Sequence, residues 1–274
     1  MPAVPMIELN NGITMPQVGF GVFQIPESET VQAVTTALEA GYRSIDTAAA
    51  YRNESGVGTA LRAAGIPRDD LFITTKLWNS DQGYESTLRA FDASLDRLGL
   101  DQLDLYLIHW PTPKHEKYLD TWRALEKIYA EGRVRAIGVS NFLPDHLRAV
   151  AGLGGTVPAV NQIEVHPALQ QRDAQDANRE LGVVTEAWSP LAQAGVLTDP
   201  AVTAIAEAHG RTPAQVVLRW HLQQGRVIIP KSVTPSRIRE NLDLFDFELT
   251  AGQMAAVDAL ESDGRTGPHP DSFN

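Results

Sequence analysis

The chain has 274 residues, 43% hydrophobic and 21% charged, a balance that disfavours disorder and suits one large domain spanning 1–274. It contains no cysteine, which excludes disulfides and thiolate metal sites. A formal net charge of −11 argues against a nucleic-acid surface.

The chain opens MPAVPMIELNNG, with neither a basic region nor an apolar core of a secretion signal. No apolar run approaches the roughly 18 residues of a membrane span. The expectation is a monomeric cytoplasmic protein without a membrane partner. Residues 7–9 and 13–15 flank an Asn-Gly pair, which predicts a short N-terminal hairpin.

From there one pattern recurs. A short β-branched or apolar run ends in a polar residue, and a segment of helical period follows. The runs are GFGVFQ (19–24), SID (44–46), LFITTK (71–76), LDLYLIH (103–109), VRAIGVSN (134–141), PAVNQ (158–162), VVTEAWS (183–189) and RVIIPK (226–231). Leu88, Phe91, Leu95 and Leu98 share one helical face that stops at Gly99. Leu119, Trp122, Leu125 and Tyr129 share another before Gly132. The last gap between runs is the longest and has room for an extra helix near 199–209. A final helix is expected near 250–261.

Strands alternating with helices imply parallel strands joined by crossovers, and eight units imply a closed (β/α)8 TIM barrel. The alternative is an open doubly wound sheet. That fold usually carries a glycine-rich loop after its first strand, where this chain has FQIPESET. The GVG at 56–58 lacks the right spacing and reads as a helix-packing detail.

A barrel gathers the C-terminal ends of its strands around one pocket. Those ends here are Asp46, Lys76, His109, Ser140 with Asn141, Gln162, Ser189 beside Trp188, and Lys231. Asp46 and Lys76, from adjacent strands, are placed to form a buried ion pair. Such pairs are often not net stabilising, so a function is worth asking about. If Tyr51 folds over that pair, the ammonium is expected to lower its pKa and make it a general acid for a developing alkoxide. His109 is expected to aim the carbonyl. An oxyanion-stabilising group without a nucleophile suits hydride transfer. The histidines show no zinc spacing, and there is no GxSxG elbow. Glu164 and His166 point to one side of an extended segment, with a structural role favoured over an acid–base one.

A hydride needs a cofactor. Asn141 and Gln162 suit a carboxamide, and Trp188 suits a nicotinamide face. No acidic residue lies between Ala208 and Arg239, while Arg211, Arg219, Arg226, Lys231, Arg237 and Arg239 do. Lys231, Ser232, Thr234 and Arg237 fall where the last strand meets a helix, the usual phosphate site of a barrel. That cluster suits the 2′-phosphate of NADPH. Phe23, Trp78, Trp110 and Phe273 are candidates for an apolar substrate pocket.

The motifs GYRSIDTAAAYRNE (41–54), ITTKLW (73–78), DLYLIHWP (104–111), GVSNF (138–142), VNQIEVHP (160–167) and IPKSVTPSRIREN (229–241) follow in order along nearly the whole chain. Together they resemble the aldo-keto reductase superfamily, and within it bacterial 2,5-diketo-D-gluconate reductases. The resemblance implies an NADPH-dependent oxidoreductase. Only about a dozen residues follow the last expected helix, so a short lid and an open pocket are expected, and with them broad activity on small aldehydes, dicarbonyls, keto sugars or keto acids. It implies a catalytic tetrad at Asp46, Tyr51, Lys76 and His109, and nicotinamide contacts at Ser140, Asn141, Gln162 and Trp188. It assigns Ser189, Leu191, Lys231, Ser232, Val233, Thr234, Arg237, Glu240 and Asn241 to the rest of the cofactor. Departures from the pattern are Ser44 for a frequent histidine, Arg52 for a smaller or neutral residue, Trp188 for tyrosine and Ala192 for glycine. The competing readings are an NADPH-binding regulatory barrel with little turnover, and a non-redox barrel enzyme such as an isomerase.

Overall fold

The structure, a computed structural model, describes residues 4–274. The first three residues of the N-terminal stretch read for a leader lie outside them. The hairpin forms as β1 (Met6–Glu8) and β2 (Thr14–Pro16), paired antiparallel around Gly12, whose φ of 84° suits a residue without a Cβ.

Eight parallel strands follow in chain order: β3 (Phe20–Gly21), β4 (Ser44–Asp46), β5 (Phe72–Leu77), β6 (Leu103–Ile108), β7 (Val134–Ser140), β8 (Val160–Glu164), β9 (Val184–Trp188) and β10 (Val227–Ile228). The ends of this row meet. Val18 bridges Ile228 in parallel, the Gly19 amide donates to Ile228 O at 2.8 Å, and the Ile228 amide donates to Gln17 O at 3.0 Å. The sheet is therefore the closed barrel expected from the repeating units, not an open doubly wound sheet.

β3 and β10 are much shorter than their apolar runs. Val22 still donates to Asp46 O, but Gln24 takes a left-handed φ of 60° and turns the chain out, leaving Phe23 exposed. After β10, Pro230 has no N–H to continue the ladder.

The helices are α1 (Glu27–Ala40), α2 (Glu54–Ala63), α3 (Tyr84–Leu98), α4 (Tyr118–Ala130), α5 (Pro144–Ala151), α6 (Arg172–Glu180), α7 (Pro200–His209), α8 (Pro213–Gln223), α9 (Pro235–Glu240) and α10 (Ala251–Asp258). The extra helix of the last gap is α7. Phe91, Leu95 and Leu98 of α3 and Trp122 and Leu125 of α4 are buried against the strands, as their spacing predicts. Gly58 is the packing detail its sequence suggests, because a Cβ there would meet Leu98 O of α3 at 2.2 Å.

Leu9 and Met15 of the hairpin join Phe72, Leu105, Leu107, Ala136 and Val160 in one buried cluster. Asn10 and Asn11 donate to Pro158 O and Arg135 O, near the starts of β8 and β7. The hairpin thus plugs the N-terminal end of the barrel, and the C-terminal end is left for a site. Among the described residues, no helix is long and apolar enough to cross a membrane.

Candidate active site

A cleft of about 1450 Å³ opens at the C-terminal end of the strands. Asp46 ends β4 opposite Thr74 of the adjacent β5, and Lys76, two residues further along, projects from the same face of β5 and reaches it. Lys76 is fully buried, and its Nζ donates to Asp46 Oδ1 at 2.6 Å and to Thr47 O at 2.9 Å. Burial by itself would lower the ammonium pKa. Burial is the largest single effect, but the charges of Asp46, Tyr51 and Glu186 and the hydrogen bond to Asp46 together outweigh it, and Lys76 is held above its ordinary value.

Tyr51 closes a short 3-10 turn, Ala49–Tyr51, that folds back over the pair. Lys76 Nζ donates to Tyr51 Oη at 3.4 Å and lies 5.1 Å from the ring centroid. The expected lowering of the Tyr51 pKa does not hold for the net shift. Burial raises the phenol, Lys76 opposes it, and Asp46 and Glu186 add to the rise. Two carboxyl groups sit close to a single ammonium, so the balance favours the protonated phenol. Tyr51 keeps its proton at neutral pH.

β6 carries His109 to the same floor, its ring 5.6 Å from that of Tyr51 and 5.2 Å from that of Trp78. Burial, and then the Lys76 charge, hold His109 well below the ordinary histidine range, so the ring is neutral near pH 7. Its Nδ1 is buried without a hydrogen-bond partner among the described residues.

The next strand ends line one wall. Ser140 Oγ donates to Gln162 O, and Asn141 Nδ2 donates to His109 O and Ser140 Oγ. Trp188 Nε1 donates to Asn141 Oδ1 at 2.8 Å, which ties the indole to the same wall. Asn141 is left-handed at a φ of 63°, a conformation asparagine tolerates. Beyond Trp188, Ser189, Ala192, Gln193 and Ala194 all take positive φ, and Ala192 does so where the motif often has glycine. Ser189, Leu191, Gln193 and Ala194 line the cleft.

The basic stretch separates in three dimensions. Arg211 pairs with Asp243 and Asp246, and Arg219 with Glu248. Arg226 is buried over Trp220 at the far end of β10. The exposed Arg239 side chain donates to Pro235 O. Lys231 and Arg237 reach the cleft, and among the described residues neither has an ion-pair partner. Ser232, Glu240 and Asn241 line the same end. Val233 and Thr234 are exposed beside it and do not line it; Thr234 instead precedes the first turn of α9.

Phe23, Trp78, Trp110 and Phe273 gather at the mouth, with ring contacts of 5.0 Å between Phe23 and Tyr51 and 4.6 Å between Trp110 and Phe273. Thr266, Gly267 and Pro268 also line the cleft, and the sequence reading did not name them. Because α10 ends at Asp258, the tail is longer than expected. Glu164 anchors it, accepting from the Thr266 amide at 2.7 Å, from Thr266 Oγ1 and from the Gly267 amide. His166 Nε2 bonds Glu164 Oε1 at 3.1 Å, and neither side chain lines the cleft, which suits the structural role over an acid–base one. A Cβ at Gly267 would meet Trp188 at 2.4 Å, a close approach that glycine permits. Glu186, below the floor, was also missed. Its place inside an apolar-flanked strand is a signal that was available, since a buried acid in a stave needs a partner.

The sequence matches the Aldo/keto reductase family over residues 17–262. An aldo-keto reductase of Mycolicibacterium smegmatis is 56% identical over 270 residues, covering 98% of each chain. The glyoxal reductase of Bacillus subtilis is 53% identical, covering 97% of this chain and 96% of its own. The crystal structure of a Gox0644 mutant in complex with NADPH superposes with a TM-score of 0.96 at 48% identity, each chain covered in full. With the family matched across most of the barrel and relatives this similar along nearly their whole length, the chain belongs to the aldo/keto reductase family.

Proposed function

We propose that the protein is an NADPH-dependent reductase of small aldehydes, dicarbonyls, keto sugars or keto acids. The observation that carries this is the Tyr51 hydroxyl, set 3.4 Å from Lys76 Nζ with its ring 5.6 Å from that of His109, on the floor of one cleft. Two cations with no ion-pair partner among the described residues, Lys231 and Arg237, line that same cleft. Names of relatives support the reading: one is a glyoxal reductase, and a close structural neighbour was crystallised with NADPH.

When bound, NADPH supplies the hydride for the carbonyl carbon. Asn141 and Gln162 would hold the carboxamide, with Ser140 holding Asn141, and Trp188 would stack on the ring. Ser189, Leu191, Lys231, Ser232, Arg237, Glu240 and Asn241 would hold the remainder, with Val233 and Thr234 approaching through the loop before α9. Tyr51 gives its proton to the carbonyl oxygen, and Lys76 stabilises the phenolate left behind. His109 aims the oxygen, and Asp46 keeps Lys76 charged and fixed. Phe23, Trp78 and Trp110 exclude water from the mouth.

The test is NADPH oxidation with methylglyoxal and a nitrobenzaldehyde, alongside NADH. Turnover with NADPH is expected. Tight NADPH binding without reduction across a carbonyl panel would overturn the enzyme reading and favour a regulatory barrel.

A further inference from the structure

Glu186 lies in β9 beneath the cleft, 1% exposed, in register with Gln162 of β8. The proposed mechanism gives it no task. Its Oε2 accepts from Gln162 Nε2 at 2.8 Å. The same nitrogen donates to Asp46 Oδ2 at 2.8 Å, while Asp46 Oδ1 accepts from Lys76 at 2.6 Å. A primary amide has two N–H donors and one carbonyl acceptor. Both donors of Gln162 are consumed by carboxyl groups, one from each side. Gln162 lines the cleft, and only its carbonyl is left to face a ligand there.

The orientation is chemically determined. Flipping the amide would set its carbonyl oxygen against Asp46 and leave two acceptors facing each other, which is costly in a buried place. A single anchor at Asp46 leaves the amide free to turn about that contact. A second anchor at Glu186 fixes its plane. Burial and the neighbouring Asp46 charge push Glu186 up to about 8. Near neutral pH it is mostly a neutral acid whose carbonyl oxygen still accepts, which avoids a second buried negative charge.

We infer that Glu186 is a positioning residue that locks Gln162 with its carbonyl toward the nicotinamide, so that the site selects a ring substituent with an N–H donor. This rests on the assignment of Gln162 to the carboxamide. The nicotinamide carboxamide has such a donor; the acetyl group of a 3-acetylpyridine analogue does not.

Calorimetric binding of NADPH, 2′,5′-ADP and the 3-acetylpyridine analogue of NADPH tests this in Glu186→Ala, Glu186→Leu and Glu186→Gln. The leucine variant keeps the volume filled in case the alanine variant fails to fold. Alanine and leucine are expected to weaken NADPH about tenfold, the loss of roughly one oriented hydrogen bond. Affinity for 2′,5′-ADP and for the acetylpyridine analogue is expected to stay at the wild-type level. Glutamine, whose carbonyl can accept from Gln162, is expected to restore NADPH binding. Unchanged NADPH affinity in the alanine and leucine variants overturns the inference. So does an equal loss for the acetylpyridine analogue or for 2′,5′-ADP, which a purely structural role would produce. A wild-type protein that binds no NADPH removes the cofactor reading itself, whereas indifferent Glu186 variants of a protein that binds it remove only the role of Glu186.

Discussion

Tyr51 shows how one side chain depends on its surroundings. Lys76 pulls its pKa down and burial beside two carboxyl groups pushes it up, with the upward effect larger. Tyr51→Phe keeps the ring and removes only the hydroxyl that Lys76 reaches. It is expected to cut kcat by on the order of 10²-fold or more while leaving NADPH affinity nearly unchanged. Steady-state kinetics and a binding titration check both halves. Glu186 gives a stability signature. Its folded value of about 8 lies above the free value of 4.5. Between these values the folded chain holds a proton that the unfolded chain has released. The contribution is whole below pH 4.5 and is lost as pH rises through about 8. Glu186→Gln lacks this titration, so its stability relative to wild type is expected to rise across that window. Urea-unfolding midpoints at several pH values measure it. No rise would mean that Glu186 ionises normally in the fold.

At the scale of elements, helix packing and helix starts carry the argument. Gly58 lets α2 touch the carbonyl end of α3, and a Cβ there would sit 2.2 Å from Leu98 O. Gly58→Ala is expected to destabilise by about 2 kcal/mol, because backbone rather than a flexible side chain must move. A chemical-denaturation midpoint reads the loss. Lys231 in the loop before α9 and Arg237 within α9 have no carboxylate partner among the described residues. Arg237→Ala is expected to weaken NADPH about tenfold or more and to change NADH little, as removal of one charged contact to a phosphate would do. Equal losses for both cofactors would assign Arg237 away from the 2′-phosphate. Several of these elements were legible in the sequence. The stripe of Phe91, Leu95 and Leu98 and the stop at Gly99 require only helical period and a residue tolerant of positive φ. The division of the arginines was not legible. Arg211 finds Asp243 and Asp246 through tertiary contact, and no local spacing announces those partners.

For the whole molecule, closure of the barrel is the decisive feature. It brings the chain after the last stave against the first, where the Gly21 amide donates to Pro230 O at 3.3 Å, and Lys231 and Gly21 both line one cleft. The Gly19 and Ile228 amides donate across the closing junction at 2.8 and 3.0 Å. In native-state hydrogen exchange they are expected to be protected to the level of central strands such as β6. Fast exchange at both would indicate an open sheet edge. The tail belongs to this scale too, since Glu164 at the end of β8 fastens Thr266 and Gly267 over the pocket, far along the chain.

The sequence by itself determined the repeating strand–helix order, the N-terminal hairpin and the polar residues at the strand ends. These follow from local period, turn chemistry and the rule that parallel strands need crossovers. Only the tertiary structure decided which charges stay unpaired, that burial outweighs Lys76 at Tyr51, and that Glu186 and Asp46 grip one amide between them. Those outcomes depend on distances across the barrel and on exclusion of water, and neither is a property of neighbouring residues in the chain.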